Sequence, residues 1–398
     1  MESAKENTGA TQQQENNLGQ SPAPETDEVQ PTKSHSAGPR KLARQRSTLA
    51  DTQRDPPMKA VFVMGETKPL IVSEILPPKP GPGEVLIKVE AAPINPSDIN
   101  FIRGNYIHLT PPFQIGLEGS GTVLSSGGGQ SAGKLVGKRV SFCALPARPG
   151  SWAQYVVTLA QNCFVMEDDI DWDHGACAII NPFTAVAFVE TIKKEKHRAI
   201  VQTTAASQLG KMVIKLLKKE GVKVISIIKN KEQLEALEGV GSDVIIDTSN
   251  KGFEEELRAK AADLHATCLF ESVCGETTHK LLRNMPRDTI CYIHGHLEKD
   301  LLTPIDFADL LINNKTVKAF SFQNWFQSQG FFSKFRAVGK AHRMLSNELK
   351  TEIAKVFEMK DVNDAIKFYL EHPTQGKVII KPNVVHEETS IEKEKAHE

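Results

Sequence analysis

A single phenol, Tyr106, closes the segment Ala91-Ala-Pro-Ile-Asn-Pro-Ser-Asp-Ile-Asn-Phe-Ile-Arg-Gly-Asn-Tyr106. Pro93 and Pro96 stiffen it, and Asn95, Ser97 and Asp98 supply polar groups. The segment therefore reads as a rigid loop that fixes the phenol at the mouth of a pocket. A neutral phenol in that place donates a hydrogen bond, or a proton, at neutral pH. The same residues also fit a plain turn followed by a half-buried aromatic.

A second pattern joins a buried-type strand at 199–203 to an amphipathic helix. The connection is Thr204-Ala-Ala-Ser-Gln-Leu-Gly210. A dinucleotide-binding turn must bring backbone N–H groups and a helix N-terminus to a pyrophosphate, and it commonly uses three glycines. Here Ala205 and Ser207 stand in the first two of those positions, and only Gly210 remains to let helix and strand pack closely. The contact set expected of this turn is Ser207, Gln208, Leu209 and Gly210. A βα turn without a ligand is the competing reading. The second strand ends at Lys229-Asn230-Lys231 rather than at an acidic residue. Two ammonium groups there suit a ribose 2′-phosphate and offer nothing special to bare hydroxyls, so NADPH is the expected cofactor. A solvated surface pair of lysines is the plain alternative.

Metal chemistry is not expected. Structural zinc takes four ligands, usually thiolates in paired spacing. The six cysteines are Cys143, Cys163, Cys177, Cys268, Cys274 and Cys291, and the nearest two, Cys268 and Cys274, stand six positions apart. His174, His294 and His296 remain, with His294 and His296 alternating at a strand end, where neighbours face opposite sides. Unpaired spacing in apolar contexts suits free thiols in a reducing compartment.

These motifs resemble, in order and spacing, the zinc-free branch of the medium-chain dehydrogenase/reductase superfamily. The likeness is strongest to its 2-enoyl thioester reductases and NADPH:quinone oxidoreductase-like proteins. The Gly-His-Glu ligand motif of zinc-bearing relatives stands here as Gly116-Leu-Glu118, and leucine cannot ligate. The loop 204–210 is similar to the branch's Ala-x-Ser-x-x-Gly variant. By the same resemblance, Asn181-Pro-Phe-Thr-Ala185 is the domain junction, where Asn181 or Thr184 reaches the cofactor. His294 and Gly295 end the fifth strand, and Phe320, Ser321 and Phe322 end the last strand beside the nicotinamide half. Lys377 corresponds to the closing lysine.

The resemblance implies hydride transfer from NADPH to the β-carbon of a 2-enoyl thioester, with Tyr106 assisting protonation. It leaves open an NADPH:quinone or alkenal reductase, and, in a different class, a non-catalytic NADPH-binding protein. It also implies a homodimer, joined through the fifth and sixth strands of the parallel sheet across a two-fold.

The elements that must position these groups follow from hydrophobic period. Residues 58–64, 84–90, 119–124, 137–143 and 152–158 read as short strands between Pro and Gly turns, which calls for a mostly antiparallel, barrel-like domain. From about residue 183, strands at 199–203, 222–228, 244–246, 267–270, 289–293 and 317–321 alternate with helices. Leu209, Met212, Val213, Leu216 and Leu217 form one apolar helical stripe. A doubly wound parallel sheet is expected, with strands at 351–357 and 376–380 returning to the first domain. The fold class is thus α/β: a GroES-like barrel-type catalytic domain plus a Rossmann sheet. Its boundaries are a disordered tail at 1–57, the catalytic domain at 58–182, the NADPH-binding domain at 183–340, a return at 341–382 and a charged tail at 383–398.

Composition narrows the partners. A formal net charge of −1 over 398 residues gives no general pull toward nucleic acid or an anionic membrane. No stretch approaches the roughly 20 apolar residues of a membrane span. Small molecules or acyl thioesters are the expected partners. Residues 1–57 lack Phe, Tyr, Trp, Ile and Cys, so they cannot build a core. Six acidic residues precede Arg40, unlike a transit peptide, and a cytoplasmic location is expected, with a mitochondrial one as the alternative. The basic run at 40–46 leads into Ser47, a setting that basophilic kinases accept.

Overall fold

A computed structural model describes residues 56–383 apart from 107–108, 145–147 and 299–301. Residues 1–55 and 384–398, with the basic run and Ser47, lie outside the described residues.

The first domain is built on β1 (Met58–Val63), β2 (Ile71–Ile75), β3 (Glu84–Pro93), β4 (Phe113–Gln114), β5 (Glu118–Ser126), β6 (Arg139–Cys143), β7 (Tyr155–Leu159) and β8 (Cys163–Val165). β3 shows why. Val85, Ile87, Val89 and Ala91 alternate with less buried residues, as a strand with one face on a core requires. It pairs antiparallel with both β5 and β7. The short strands β2 and β4, absent from the sequence reading, pair on either side of β1.

The parallel sheet comprises β9 (Ala199–Gln202), β10 (Lys223–Ile228), β11 (Val244–Asp247), β12 (Ala266–Glu271), β13 (Ile290–Ile293) and β14 (Thr316–Ala319). Their order across the sheet is β11-β10-β9-β12-β13-β14. The direction of winding reverses between β9 and β12, which opens a crevice at their C-terminal ends. All four residues of β9 are buried, as a strand covered on both faces must be. β15 (Ile353–Glu358) and β16 (Lys377–Lys381) then return to the first domain, where β16 pairs antiparallel with the end of β3.

The segment expected to be a loop before Tyr106 is instead a short helix, Pro96–Ile102. Pro96 sits at the first helical position, where its missing N–H is no loss. The Asp98 carboxylate turns back to accept the Asn95 N–H at 2.8 Å. Turn-forming residues also start helices, and the carboxylate three positions past Asn95 decides between the two.

One buried polar cluster joins this helix to the rest of the molecule. Glu118, 1% exposed, accepts from Asn95 Nδ2 and from Ile180 N, each at 3.0 Å. Ile180 begins the long central helix Ile180–Glu195, so the carboxylate faces a helix N-terminus, where negative charge is stabilised. Lys377 Nζ donates to Asn95 Oδ1 and, at 3.5 Å, to Ile94 O. The Lys377 ammonium thus supplies positive charge beside Glu118 and Asp98.

Burial raises Asp98 to about 7, against its bond from Asn95 N–H and the nearby Lys377. Folded Asp98 therefore keeps a proton that the unfolded chain gives up near 3.8. Between those values the folded state binds more protons, so this residue's stabilisation is lost as pH rises from about 4 to about 7. Asp98→Asn, which keeps an acceptor for Asn95 N–H, should flatten that part of the stability profile. Urea denaturation of both proteins across this range checks it: the variant should lose less stability than the parent as pH rises.

Candidate active site

The loops that follow β9, β12, β13 and β14 converge on the crevice. Thr204 Oγ1 lies 2.8 Å from Ser272 Oγ, and Ser272 N donates to Thr203 Oγ1 at 3.0 Å, which ties the first two loops together. Glu271, fully buried at the end of β12, accepts from Val273 N at 2.5 Å and from Cys274 N at 2.9 Å. It holds the turn in which Cys274 adopts φ +70°, a left-handed conformation uncommon outside glycine. The loop after β13 is bound to this turn: Leu297 N and Glu298 N donate to Val273 O at 3.2 and 3.0 Å. Sequence reasoning ended a strand at residue 270 but gave Glu271 no role. Its work is to close a turn, and that is legible only once the turn is built.

The dinucleotide turn has the packing that the sequence implies. Ser207 caps the helix Gln208–Lys219, its Oγ accepting from Gly210 N at 3.1 Å. A Cβ on Gly210 would stand 2.4 Å from Ala205 O, so only glycine lets the helix approach the strand this closely. Lys229, Asn230 and Lys231 lie exposed at the end of β10, with Asn230 capping the short helix Lys231–Glu235. The Lys231 ammonium is 3.4 Å from Glu235. This set fits a dinucleotide. Ser207 through Gly210 would meet the pyrophosphate and the two lysines a 2′-phosphate.

At the far end, His294, Phe320 and Phe322 belong to an aromatic wall. The Phe188 and Phe270 rings stack at 3.8 Å, and the rings of His294 and Phe320 meet Phe188 edge-on at 4.9 and 4.5 Å. Burial among these rings lowers the His294 imidazole to about 4, so it is neutral at physiological pH. Phe322 packs on Phe183 at 5.6 Å, and Ser321 caps the helix Phe322–Ser328. Gly295 lies so close to Ser272 that a Cβ would be 2.9 Å from the serine Cβ.

Three expected cofactor contacts have their polar atoms engaged within the protein. Gln208 Nε2 donates to Glu352 Oε2 at 2.9 Å while its Oε1 accepts from Glu352 N at 2.9 Å. Lys211 Nζ joins the same carboxylate at 2.8 Å. Thr184 Oγ1 donates to Ile180 O at 2.6 Å, one turn back along its own helix. Lys377 is in the buried cluster described above. Asn181, beside Thr184, is half-buried in the first turn of the central helix. Glu352 is a residue that sequence reasoning missed, and its partners are 144 and 141 positions away.

Tyr106 is 44% exposed and meets Phe101 edge-on at 5.6 Å. Although half its surface is open, burial around the hydroxyl raises its pKa above the ordinary phenol value, against the neighbouring Asn100 amide. It is a neutral proton donor at pH 7. From the parallel-sheet side, Cys274 in the strained turn after β12 raises its pKa slightly further. The arrangement is a cleft with a phenol on one wall and, on the other, the strand ends to which a dinucleotide would bind.

Among the described residues, no three His, Cys, Asp or Glu side chains gather as a metal-binding set. All six cysteines are free thiols.

Two family models match the chain: the alcohol dehydrogenase GroES-like domain over residues 81–168, and the zinc-binding dehydrogenase domain over residues 209–338. A Caenorhabditis elegans mitochondrial enoyl-[acyl-carrier-protein] reductase is 29% identical over 231 residues, which cover 56% of this chain and 65% of that protein, a little under two thirds of its length. The crystal structure of a Mesorhizobium loti protein assigned as an NADPH:quinone reductase is 32% identical, with a TM-score of 0.76; the match covers 82% of this chain and 98% of that one. Escherichia coli quinone oxidoreductase, solved with NADPH, shares the fold at 18% identity and a TM-score of 0.71, over 82% of this chain and 99% of its own. With the barrel-type domain, the doubly wound sheet and the cleft between them, these likenesses assign the chain to the medium-chain dehydrogenase/reductase superfamily of oxidoreductases, in the branch of the enoyl and quinone reductases.

Proposed function

We propose that the protein is an NADPH-dependent reductase of activated carbon–carbon double bonds, with 2-enoyl thioesters as the substrate class. The observation that supports this reading is the neutral Tyr106 phenol, within electrostatic reach of Cys274 in the turn after β12. Bound NADPH supplies a hydride to the β-carbon of the unsaturated acyl group. Electron density then moves onto the carbonyl side, and the α-carbon must take a proton. The Tyr106 hydroxyl supplies or relays that proton, and its raised pKa keeps the proton available at neutral pH. The aromatic wall around His294 and Phe320 excludes water from the reacting face, and the neutral imidazole there adds no competing charge.

Lys229 and Lys231 favour NADPH over NADH. Each charge-assisted contact to a phosphate is worth about 1.5–3 kcal/mol. Replacing both by Ala should therefore cut the ratio of NADPH to NADH affinity at least about tenfold, as read by fluorescence titration. Equal affinities in the parent protein would refute the assignment.

The alternative is a quinone or alkenal reductase, favoured by the likeness to the M. loti protein. Thioester and quinone reduction differ in their need for Tyr106, whereas an alkenal, like the thioester, needs a proton at its α-carbon. Tyr106→Phe keeps the ring and its contact with Phe101. With a crotonyl thioester its kcat should fall about 10²- to 10⁴-fold, the usual worth of general acid catalysis, while KM moves little. Quinone reduction needs no proton delivered to carbon, so its rate should hold. A variant that reduces the thioester at the parent rate would take Tyr106 out of the mechanism.

A homodimer across β14 is part of the same proposal. Among the described residues β14 pairs only with β13, and beside it Phe307, Leu311 and Ile312 are 78%, 79% and 66% exposed. An open strand edge beside an apolar patch invites a second copy. Leu311→Glu should convert dimer to monomer in light-scattering chromatography without loss of the fold. On compartment, the acidic residues that precede Arg40 support a cytosolic location, and the mitochondrial names of several relatives support the alternative.

A further inference from the structure

We propose that Asn100 is a positioning residue, a single buried amide that aims Tyr106 and does so only while the two walls of the cleft are in contact. The proposal rests on the reading of Tyr106 as the proton donor.

Asn100 lies on the helix Pro96–Ile102 and is 3% exposed. Toward its own side of the cleft it holds the residue next to the phenol twice: its backbone oxygen accepts from Asn105 N and its Oδ1 accepts from Asn105 Nδ2, both at 2.9 Å. Gly104, at φ +69°, lets the chain turn back tightly enough for these bonds. Toward the other wall, Asn100 Nδ2 donates to His296 O at 2.9 Å, 196 positions away in the loop after β13. The orientation of the amide is forced, because a carbonyl oxygen can only accept and Nδ2 must therefore face it. That carbonyl is itself held in place, since the residues on either side of His296 are bound to the turn after β12. Leu297 N donates to Val273 O at 3.2 Å, and Gly295 O accepts from Cys274 Sγ at 3.3 Å. One side chain thus connects the phenol's anchor to the loops that flank the reacting end of the crevice. If the cleft opens, the bond to His296 is lost and the amide is free to turn away from Tyr106.

An ordinary interdomain contact would show the same distances, so the test must separate positioning from packing. Asn100→Asp is isosteric. Its carboxylate still accepts from Asn105, but the other oxygen now faces the His296 carbonyl, and two acceptors repel. Once protonated, that oxygen donates again. With NADPH and crotonyl coenzyme A at neutral pH, kcat should fall about tenfold or more, and it should recover as the pH is lowered. The parent should show no such recovery. In a double variant with Tyr106→Phe, Asn100→Asp should add nothing to the loss already caused by the missing hydroxyl. A readout independent of turnover is the ultraviolet titration of the phenol, isolated by subtracting the Tyr106→Phe spectrum. A carboxylate beside Tyr106 should move its ionisation to higher pH.

Additive losses in the double variant, or an unmoved titration, would overturn the proposal. Should Asn100→Asp fail to fold, Asn100→Ser, too short to reach His296, carries the same kinetic predictions apart from the recovery at low pH. A normal rate in Tyr106→Phe alone would refute the role of the phenol. A slow Tyr106→Phe beside a normal Asn100→Asp would refute only the role of Asn100.

Discussion

A carboxylate out of reach of solvent, Glu118, is the group on which the rest of the molecule depends. It accepts from the first N–H of the central helix and from the Asn95 amide, and it shares the Lys377 ammonium with Asp98. Those partners lie at the start of the helix Pro96–Ile102, at the start of the helix that carries the chain into the parallel sheet, and on the last strand. Removing either charge would strand the other in a low-dielectric interior, at a cost of about 3–5 kcal/mol. The barrel-type domain and the dinucleotide half are therefore held in register by one ionic cluster. The phenol and the strand ends inherit their separation from it.

Around that cluster the two halves use different physics. The parallel sheet is held by apolar packing, with the Phe188, Phe270, Tyr292 and Phe320 rings in mutual contact between the central helix and β12, β13 and β14. Packed rings of this kind are rigid and exclude water. The cleft side relies on hydrogen bonds between loops, from the Thr204–Ser272 hydroxyl pair to the Asn100–His296 bridge. Such bonds exchange with water at little net cost, so they hold this side less firmly than the packed rings hold the other. Gln208, Lys211 and Glu352 form a further junction of this second kind, between the dinucleotide helix and the return to the first domain.

Much of this was legible along the chain because it repeats at short range. Alternation in 84–90 reported a half-buried strand, and the stripe from Leu209 to Leu217 reported a helix lying on a sheet. Gly210, whose missing Cβ lets helix and strand pack, was legible for the same reason, since its meaning depends on neighbours a few positions away. The 95–102 segment was misread as a loop because Pro, Asn, Ser and Asp serve turns and helix starts alike. The back-bond from Asn95 N–H to Asp98, which selects the helix, is a matter of geometry rather than composition.

What the amino-acid sequence determined by itself was the architecture, the order of its strands and helices, and the residue types at the two ends of the cleft. These follow from hydrophobic period and from backbone conformations that only glycine or proline accommodates. Only the tertiary structure decided which polar groups meet. Asn100 finds His296 across 196 positions, Glu352 finds Gln208 across 144, and Lys377 finds Asn95 across 282. A side chain's period along the chain states which face it occupies, but its hydrogen-bond partner is set by how distant elements pack, and a local pattern carries no record of that.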